Sequence, residues 1–240
     1  MTSGVVQSAG RRADAAPDGR DAGAFVFKRY FLTDAEIAQA AQLARAMADQ
    51  KRNVHKEGPY AGLKWFQVDL DLSVPVCAKL IAELGIPTPK LLVFYYLEPG
   101  AMIHPHRDLT GAGLNNRIRF HLPIITNPAV DFRVSGRRVR MGPGDLWCLD
   151  TSYRHSVYNG GAESRVHIVV ECDITPALAR KLPRSIATRM HNVWFVGVLA
   201  AQFGKAVAKN AVTNPGYFRD QMRMVARFIG WRFLKIGEPR

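Results

Sequence analysis

Apolar and polar positions repeat with two different periods along the chain, and the change of period separates helical regions from a β region. The stretch TDAEIAQAAQLARAMADQKR predicts a helix, because Thr33 can cap it and Glu36 completes a capping box. A second helix is predicted from Ser73 to a stop at Gly85, with Pro75 suited to its first turn. Both predicted helices precede the β region.

The β region extends from Lys90 to Asp173. Its segments KLLVFYYLEPG and RIRFHLPII are β-branched, aromatic or alternating, which is typical of strands. The stretch VDFRVSGRRVRMGPGDLWCLD predicts two or three short strands separated by Ser-Gly and Gly-Pro-Gly turns. A hairpin is predicted around Asn159-Gly160-Gly161. Strands of this length and spacing predict a small antiparallel sandwich or barrel.

The two ends of the chain differ from this core. Residues 1–24 are rich in Ala, Gly, Asp and Arg and predict a disordered leader. The predicted organisation is this leader, a domain over residues 25–175 with its β core at about 90–173, and a basic helical extension over 176–240. The extension is predicted to have one apolar helical face, formed by Phe218, Met222, Val225 and Ile229. A neighbouring basic stripe is formed by Arg219, Arg223 and Arg227.

Charge distinguishes the extension further. The 240 residues carry a formal net charge of +13, and residues 176–240, with twelve Lys or Arg and two Asp or Glu, account for +10 of it. Such an extension predicts an anionic partner: a membrane surface, a nucleic acid or an acidic substrate. Nucleic acid is disfavoured, because no recognised binding module accompanies the charge. Peripheral membrane contact and packing on the β core both stay open.

Several classes of protein are excluded by composition. No run of about 18 apolar residues exists that would predict a transmembrane helix. Cys77, Cys148 and Cys172 show no CxxC spacing, so they predict neither a zinc site nor a disulfide framework. Hydrophobic content of 48% and charged content of 22% are ordinary for a globular chain. We therefore expect a cytoplasmic protein, with peripheral membrane association as the one variation.

Candidate metal ligands lie in the segment GAMIHPHRDLTG, where His104, His106 and Asp108 occupy alternate positions. On a regular strand these side chains share one face. Iron(II) oxygenases bind their metal through two imidazoles and one carboxylate and leave coordination positions open. The spacing His-x-Asp supplies two of these ligands, and the third should come from a distant strand. His155, at the start of a predicted strand after the GPGD turn, is the best candidate.

Two alternatives compete with this interpretation. The first is that His-x-Asp occurs by chance and has no role. The second is a cupin-like metal site formed by His104, His106 and His155. The glutamate that cupins place shortly after His-x-His is absent, however. The cupin-like site also leaves Arg165, ten residues after His155, without a role.

Four blocks, LEPGAMIHPHRD, RIRFHLPIITNP, MGPGDLWCLDTSYRHSVYNGG and SRVHIVV, together resemble the aspartyl/asparaginyl β-hydroxylase family. They occur in the family's order and cover about residues 91–173. The resemblance implies a double-stranded β-helix (jelly roll, cupin-like) with helices at both ends. It also implies an iron(II)- and 2-oxoglutarate-dependent dioxygenase that uses O2 and releases succinate and CO2. The alternative function is a cupin-like metal-binding β-barrel without this activity.

The resemblance implies roles for individual residues. His106, Asp108 and His155 correspond to the iron ligands, and Arg165 to the arginine that binds the far carboxylate of 2-oxoglutarate. A guanidinium suits that carboxylate, since it can donate two parallel hydrogen bonds. Further cosubstrate contacts are implied for Arg119 and His121. Where the family uses a small hydroxyl residue, this sequence has Tyr95.

Two residues near these motifs are assigned to structure. His167 shares the strand parity of Arg165, but a structural role is favoured for it, as is a core position for Trp147. The family resemblance leaves the substrate open among free amino acids, peptidyl Asp or Asn and the acyl chains of lipids.

Overall fold

The computed structural model describes residues 23–54, 62–108, 117–182, 186–220, 222–223 and 226. The chain divides into two compact units, residues 1–192 and 193–240, which are described separately. The strands are β1 (Ala24–Lys28), β2 (Arg52–Asn53), β3 (Trp65–Asp69), β4 (Leu91–Leu97), β5 (Met102–His106), β6 (Arg117–Ile125), β7 (Val130–Val134), β8 (Arg137–Val139), β9 (Leu146–Leu149), β10 (His155–Asn159) and β11 (Arg165–Asp173). The helices are α1 (Asp34–Ala46), a 3-10 turn (Ala48–Gln50), α2 (Pro75–Leu84), α3 (Pro176–Lys181) and α4 (Ile186–Thr213).

The strands form two antiparallel sheets. In the described residues the major sheet has the order β1-β9-β6-β11-β4-β3-β2, and the minor sheet has the order β5-β10-β7-β8. Strands that follow one another in sequence alternate between the sheets from β4 to β7 and again from β8 to β11. This is the arrangement of a double-stranded β-helix, so the predicted mainly β fold class is confirmed.

Strand alternation gives the major sheet two different faces. Phe94, Phe120 and Ile168 point to the outer face, where they pack with α1 and α2 in one hydrophobic core. Leu97 and Trp147 point to the inner face, where they pack against the minor sheet in a second core. The inner face of β6 and β11 also holds buried Arg and His side chains, so the functional groups lie between the sheets.

The two predicted N-terminal helices form, although α1 ends at Ala46 and the predicted remainder forms the 3-10 turn and the start of β2. Thr33 accepts a hydrogen bond from Glu36 N, and the Glu36 side chain accepts one from Thr33 N, which completes the capping box. Helix α2 has Pro75 in its first turn and ends at Gly85, which adopts the left-handed conformation with φ of 63°. The apolar faces of both helices cover the outer face of the major sheet.

The structure differs from the sequence prediction in two ways. The β fold begins before Lys90, since β1, β2 and β3 extend both edges of the major sheet. The predicted hairpin around Asn159-Gly160-Gly161 is wrong, because β10 belongs to the minor sheet and β11 to the major sheet. The Asn159 side chain donates to Leu97 O and Glu163 O and thereby fixes a crossing between the sheets.

The ends of the chain are only partly described. Residues 1–22 of the predicted leader lie outside the described residues, and β1 begins at Ala24. Helix α4 lies within the region predicted to be helical, and no described helix is both long and apolar enough to cross a membrane. Of the predicted amphipathic face, Val225, Ile229 and Arg227 lie outside the described residues.

Candidate metal centre

Two histidines and one aspartate converge at one end of the space between the sheets. The candidate ligand atoms of His106, Asp108 and His155 all lie within 4.8 Å of one another. His106 and His155 are directly opposite each other in the register of β5 and β10, and their ring centroids are 4.3 Å apart. Asp108 lies just beyond β5, where its backbone N–H donates to Thr151 O at 2.9 Å. The fold thus brings together three residues separated by 49 positions at most.

Both imidazoles are oriented by backbone carbonyl groups. The Nδ1 atom of His106 lies 2.7 Å from His104 O, and that of His155 lies 2.9 Å from Tyr153 O. A ring nitrogen that donates to a carbonyl carries the proton, so Nε2 keeps its lone pair for a metal. His104 contributes this carbonyl, and its side chain does not belong to the group of convergent ligands.

The carboxylate of the triad is held by a partly buried guanidinium. Arg119 Nη1 lies 2.9 Å from Asp108 Oδ2, and Arg119 Nη2 donates to Glu171 Oε2 at 2.8 Å. Burial opposes ionisation of Asp108, but the hydrogen bond with His106 and the charge of Arg119 hold the pKa of that carboxyl well below its usual range. Asp108 is therefore a carboxylate at neutral pH.

The two imidazoles have pKa values displaced in opposite directions. Burial and the positive charge of His106 lower the pKa of His155 to about 4, so His155 is neutral. Burial also opposes protonation of His106, but its hydrogen bonds with Asp108 and His104 outweigh burial and raise its pKa. Neutral imidazole and ionised carboxylate are the forms that bind a metal, so His155 and Asp108 already have the binding form and His106 releases a proton when the metal binds.

Farther along the inner face, polar atoms are buried without partners among the described residues. They are both ring nitrogens of His121, Trp147 Nε1, His167 Nε2 and the Nε atoms of Arg119 and Arg165. Burial is the first cause that lowers the pKa of His121 and His167 well below the usual range, and Arg165 is the second. Burial alone lowers the pKa of Arg165 to about 9. Desolvated donors of this kind suit an anionic ligand, since each buried group without a partner costs about 1–3 kcal/mol.

The predicted site residues form one continuous interior. His121 lies in β6, where its side chain points to the same inner face as that of Arg119. Its ring centroid is 5.7 Å from that of His167. The Arg165 Nη2 atom lies 2.8 Å from His167 Nδ1. His167 therefore lies in the same interior as Arg165 and His121, whereas Trp147 occupies the core position predicted for it.

Sequence analysis did not identify Glu171 or Trp65. Glu171 shares the strand parity of Arg165 and His167 in β11, which is the signal that places it on the inner face. Trp65 packs edge-to-face on Tyr95, with ring centroids 5.2 Å apart. Tyr95 is buried on the inner face, and burial raises its pKa.

The sequence model of one protein family, described as aspartyl/asparaginyl beta-hydroxylase, matches residues 35–174, which is more than half of the chain. The chain belongs to this family. Members are iron(II)- and 2-oxoglutarate-dependent oxygenases, so the chain is a 2-oxoglutarate-dependent hydroxylase that uses iron(II) and O2. The family and cofactors predicted from the sequence are thereby confirmed.

Three solved structures illustrate the similarity. The 2-oxoglutarate-dependent epimerase SnoN of nogalamycin biosynthesis is 18% identical, covering 66% of this chain and 81% of that one, with a TM-score of 0.49. A Pseudomonas putida prolyl-4-hydroxylase is 14% identical, covering 65% and 95%, with a TM-score of 0.49. A 2OG-Fe(II) oxygenase family oxidoreductase from Burkholderia pseudomallei is 15% identical, covering 64% and 86%, with a TM-score of 0.45. No curated protein matches the sequence significantly.

Proposed function

We propose that this oxygenase hydroxylates an unactivated C–H bond of an amino acid, of a peptidyl Asp or Asn, or of a lipid acyl chain. The observation that carries the proposal is the convergence of two imidazoles and one carboxylate within 4.8 Å. Bound iron(II), together with 2-oxoglutarate and O2, supplies an oxidation that converts C–H to C–OH and releases succinate and CO2. The three classes of substrate share this chemistry.

In this proposal His106, Asp108 and His155 hold the iron. Their donor set, two nitrogens and one oxygen, fits iron(II) and leaves positions open for small ligands. Both Nδ1 atoms face backbone carbonyls, so both imidazoles use Nε2 for the metal, which at His106 replaces the proton shared with Asp108. Arg119 keeps Asp108 ionised and oriented.

Arg165, His121 and Arg119 bind the cosubstrate. Arg165 receives the far carboxylate of 2-oxoglutarate, since its guanidinium is buried without a carboxylate partner among the described residues. His121, whose buried ring nitrogens have no partner among the described residues, lies along the body of the cosubstrate. Arg119 is held by Asp108 and Glu171, and its Nε is the donor that it still offers.

The test begins with anaerobic titration of the metal-free protein with iron(II) and then with 2-oxoglutarate. Exposure to air without a substrate should give slow succinate release, and His155→Ala should abolish it. His104→Ala is the matched control and should behave like the unmodified protein, because only the carbonyl of His104 contacts His106. Metal binding without any effect of 2-oxoglutarate would favour the cupin-like alternative.

We propose peripheral contact with an anionic membrane for the C-terminal unit, residues 193–240. Its part of α4 exposes Trp194 and Phe203 together with Lys205 and Lys209. Aromatic side chains insert at the membrane interface, and each basic residue near an anionic surface contributes about 1 kcal/mol. Flotation with phosphatidylserine vesicles at low salt should recover the protein, and phosphatidylcholine vesicles should not. Substrate screening then starts with amino acids and anionic lipids.

A further inference from the structure

A cavity of about 470 Å³ opens between the sheets at the end away from the metal triad. None of the three candidate metal ligands lines it. Its wall includes Val130, which is paired with Asn159 at the far end of β10, whereas His155 begins that strand at the metal end. The cavity, which reaches Arg165, thus lies at one end of the strands, and the metal triad lies at the other.

The walls of this cavity are largely apolar. Val130, Phe132, Val139 and Met141 line it on the side of β7 and β8. Cavities of this size and lining bind small organic molecules. The end of a ten-atom cosubstrate such as 2-oxoglutarate would leave most of such a volume unfilled, so these walls are suited to a longer apolar body.

The charge in the cavity favours an anion. Arg29, Arg140 and Arg165 line it against one carboxylate, that of Asp145. Asp145 is already engaged, since its Oδ2 accepts from Arg29 Nη1 at 2.7 Å and its Oδ1 from Tyr30 N. Arg165 therefore offers the only buried charge in the lining without a carboxylate partner among the described residues.

The rim shows a further sign of function. Tyr30, which lines the cavity, has φ of 49°, a left-handed conformation that aromatic residues rarely adopt. Strained residues of this kind concentrate at ligand sites, where surrounding contacts hold them.

We propose that this cavity binds an organic monocarboxylate with a linear apolar body, such as a medium-chain fatty acid. The carboxylate accepts hydrogen bonds from Arg165, and the chain extends along Phe132, Val139 and Met141 toward the rim. The ligand enters from the end opposite the metal triad and competes with 2-oxoglutarate for Arg165. Only this competition rests on the proposed function, whereas binding to the cavity does not.

The probe is a series of saturated carboxylates from butanoate to octanoate, titrated calorimetrically into the metal-free full-length protein. Apolar walls predict that affinity rises with length, by up to about fourfold for each added methylene. Octanoate should be displaced by 2-oxoglutarate in the iron-loaded protein, and Arg165→Ala should lose both ligands.

Two variants localise the binding. Val130→Phe narrows the cavity at a half-buried rim position and should weaken octanoate at least tenfold more than it weakens 2-oxoglutarate. Met102→Phe is the matched control, since Met102 is exposed on β5 outside the cavity, and should leave octanoate affinity unchanged. Circular dichroism spectra like that of the unmodified protein should show that both variants fold.

Each result has a defined meaning. Affinity independent of chain length, or equal octanoate affinity in both variants, would overturn the proposal, as would no binding at millimolar octanoate. Length-dependent binding that Val130→Phe weakens, in a protein that fails to bind 2-oxoglutarate, would support this site and contradict the proposed cosubstrate role. Binding of 2-oxoglutarate without binding of octanoate would contradict the proposed cavity ligand and support the cosubstrate role.

Discussion

Buried polar groups have partners at the metal end of the barrel, which holds His106, Asp108 and His155, but several lack partners among the described residues at the interior end, which holds His121, Arg165 and His167. At the metal end, His106 and His155 each place Nδ1 against a carbonyl, and Asp108 contacts Arg119. At the interior end, both nitrogens of His121 and the Nε2 of His167 have no partner among the described residues.

This difference separates two kinds of preorganisation. Groups that are already paired fix the direction of a lone pair, so a metal can bind without reorienting its ligands. Groups left without partners have been desolvated before the ligand arrives, so the ligand restores hydrogen bonds that folding removed. The side chains of the metal end are therefore oriented before binding, whereas the unpartnered groups of the interior end destabilise the protein until a ligand binds.

The largest effect should come from removing a metal ligand. His155→Ala deletes the deeper imidazole and should abolish stoichiometric binding of iron(II), because two ligands remain. Anaerobic titration with cobalt(II), followed by its visible absorption, measures this directly. His104→Ala provides the control. Unchanged cobalt(II) affinity in His155→Ala would remove the triad from the mechanism.

The next largest effect should separate binding from stability. Arg165→Met removes a buried charge that has no carboxylate partner among the described residues and that we propose binds 2-oxoglutarate. Loss of such a pair costs about 2–5 kcal/mol, so 2-oxoglutarate affinity should fall by roughly 30-fold or more. The ligand-free variant should become more stable, by about 1 kcal/mol or more in urea unfolding, because an unpaired buried charge is gone.

Arg133→Met is the matched control for that experiment. Arg133 is exposed on β7 and contacts Asp131, so neither 2-oxoglutarate affinity nor stability should change by more than about 0.5 kcal/mol. A ligand-free Arg165→Met that unfolds at lower urea would show that the interior guanidinium already has its partner.

A smaller effect should follow from the residue behind the triad. Glu171→Gln keeps the shape of the side chain but weakens its hold on Arg119, which in turn orients Asp108. Changes at this distance from a metal typically cost 10- to 100-fold in metal affinity. Cobalt(II) titration should show such a loss, and Glu163→Gln, an exposed glutamate, should not.

Much of the site could be predicted from strand parity. Positions 119 and 121 in β6, and 165 and 167 in β11, alternate with apolar residues, so the sequence alone places their side chains on one face. Parity could not reveal that Arg119 would bind Asp108 and Glu171. That contact depends on the distance between β6 and the segment after β5, which local sequence does not encode.

The strands before Lys90 and the sheet crossing after β10 were harder to predict. Strands β1 and β3 contain only five residues each. They lie on opposite sides of a sheet whose central strands, β6 and β11, come much later in the sequence. Asn-Gly-Gly is a typical hairpin signal. Here the Asn159 amide instead bonds Leu97 O in the other sheet, a tertiary contact that overrides the local preference.

The smallest effect should be a difference in the pH dependence of stability between the two ends. The pKa of His167 lies well below its usual 6.5, first through burial and then through Arg165. Below pH 6.5 the imidazole of His167 therefore binds a proton in the unfolded chain but not in the folded protein, so stability is lost as pH falls. His167→Gln should reduce this slope by at most about 1.4 kcal/mol per pH unit between pH 6.5 and 5.

The matched substitution at the metal end should act in the opposite direction. Hydrogen bonds to Asp108 and His104 raise the pKa of His106 despite its burial. His106 thus contributes stability that is present below pH 6.5 and is lost as pH rises through its folded-state pKa. In metal-free protein, His106→Gln should therefore remove a loss of stability that occurs as pH rises above 6.5, and His167→Gln should remove one that occurs as pH falls below 6.5. A pH dependence below 6.5 that His167→Gln leaves unchanged would mean that the imidazole of His167 is protonated as readily in the folded protein as in the unfolded chain.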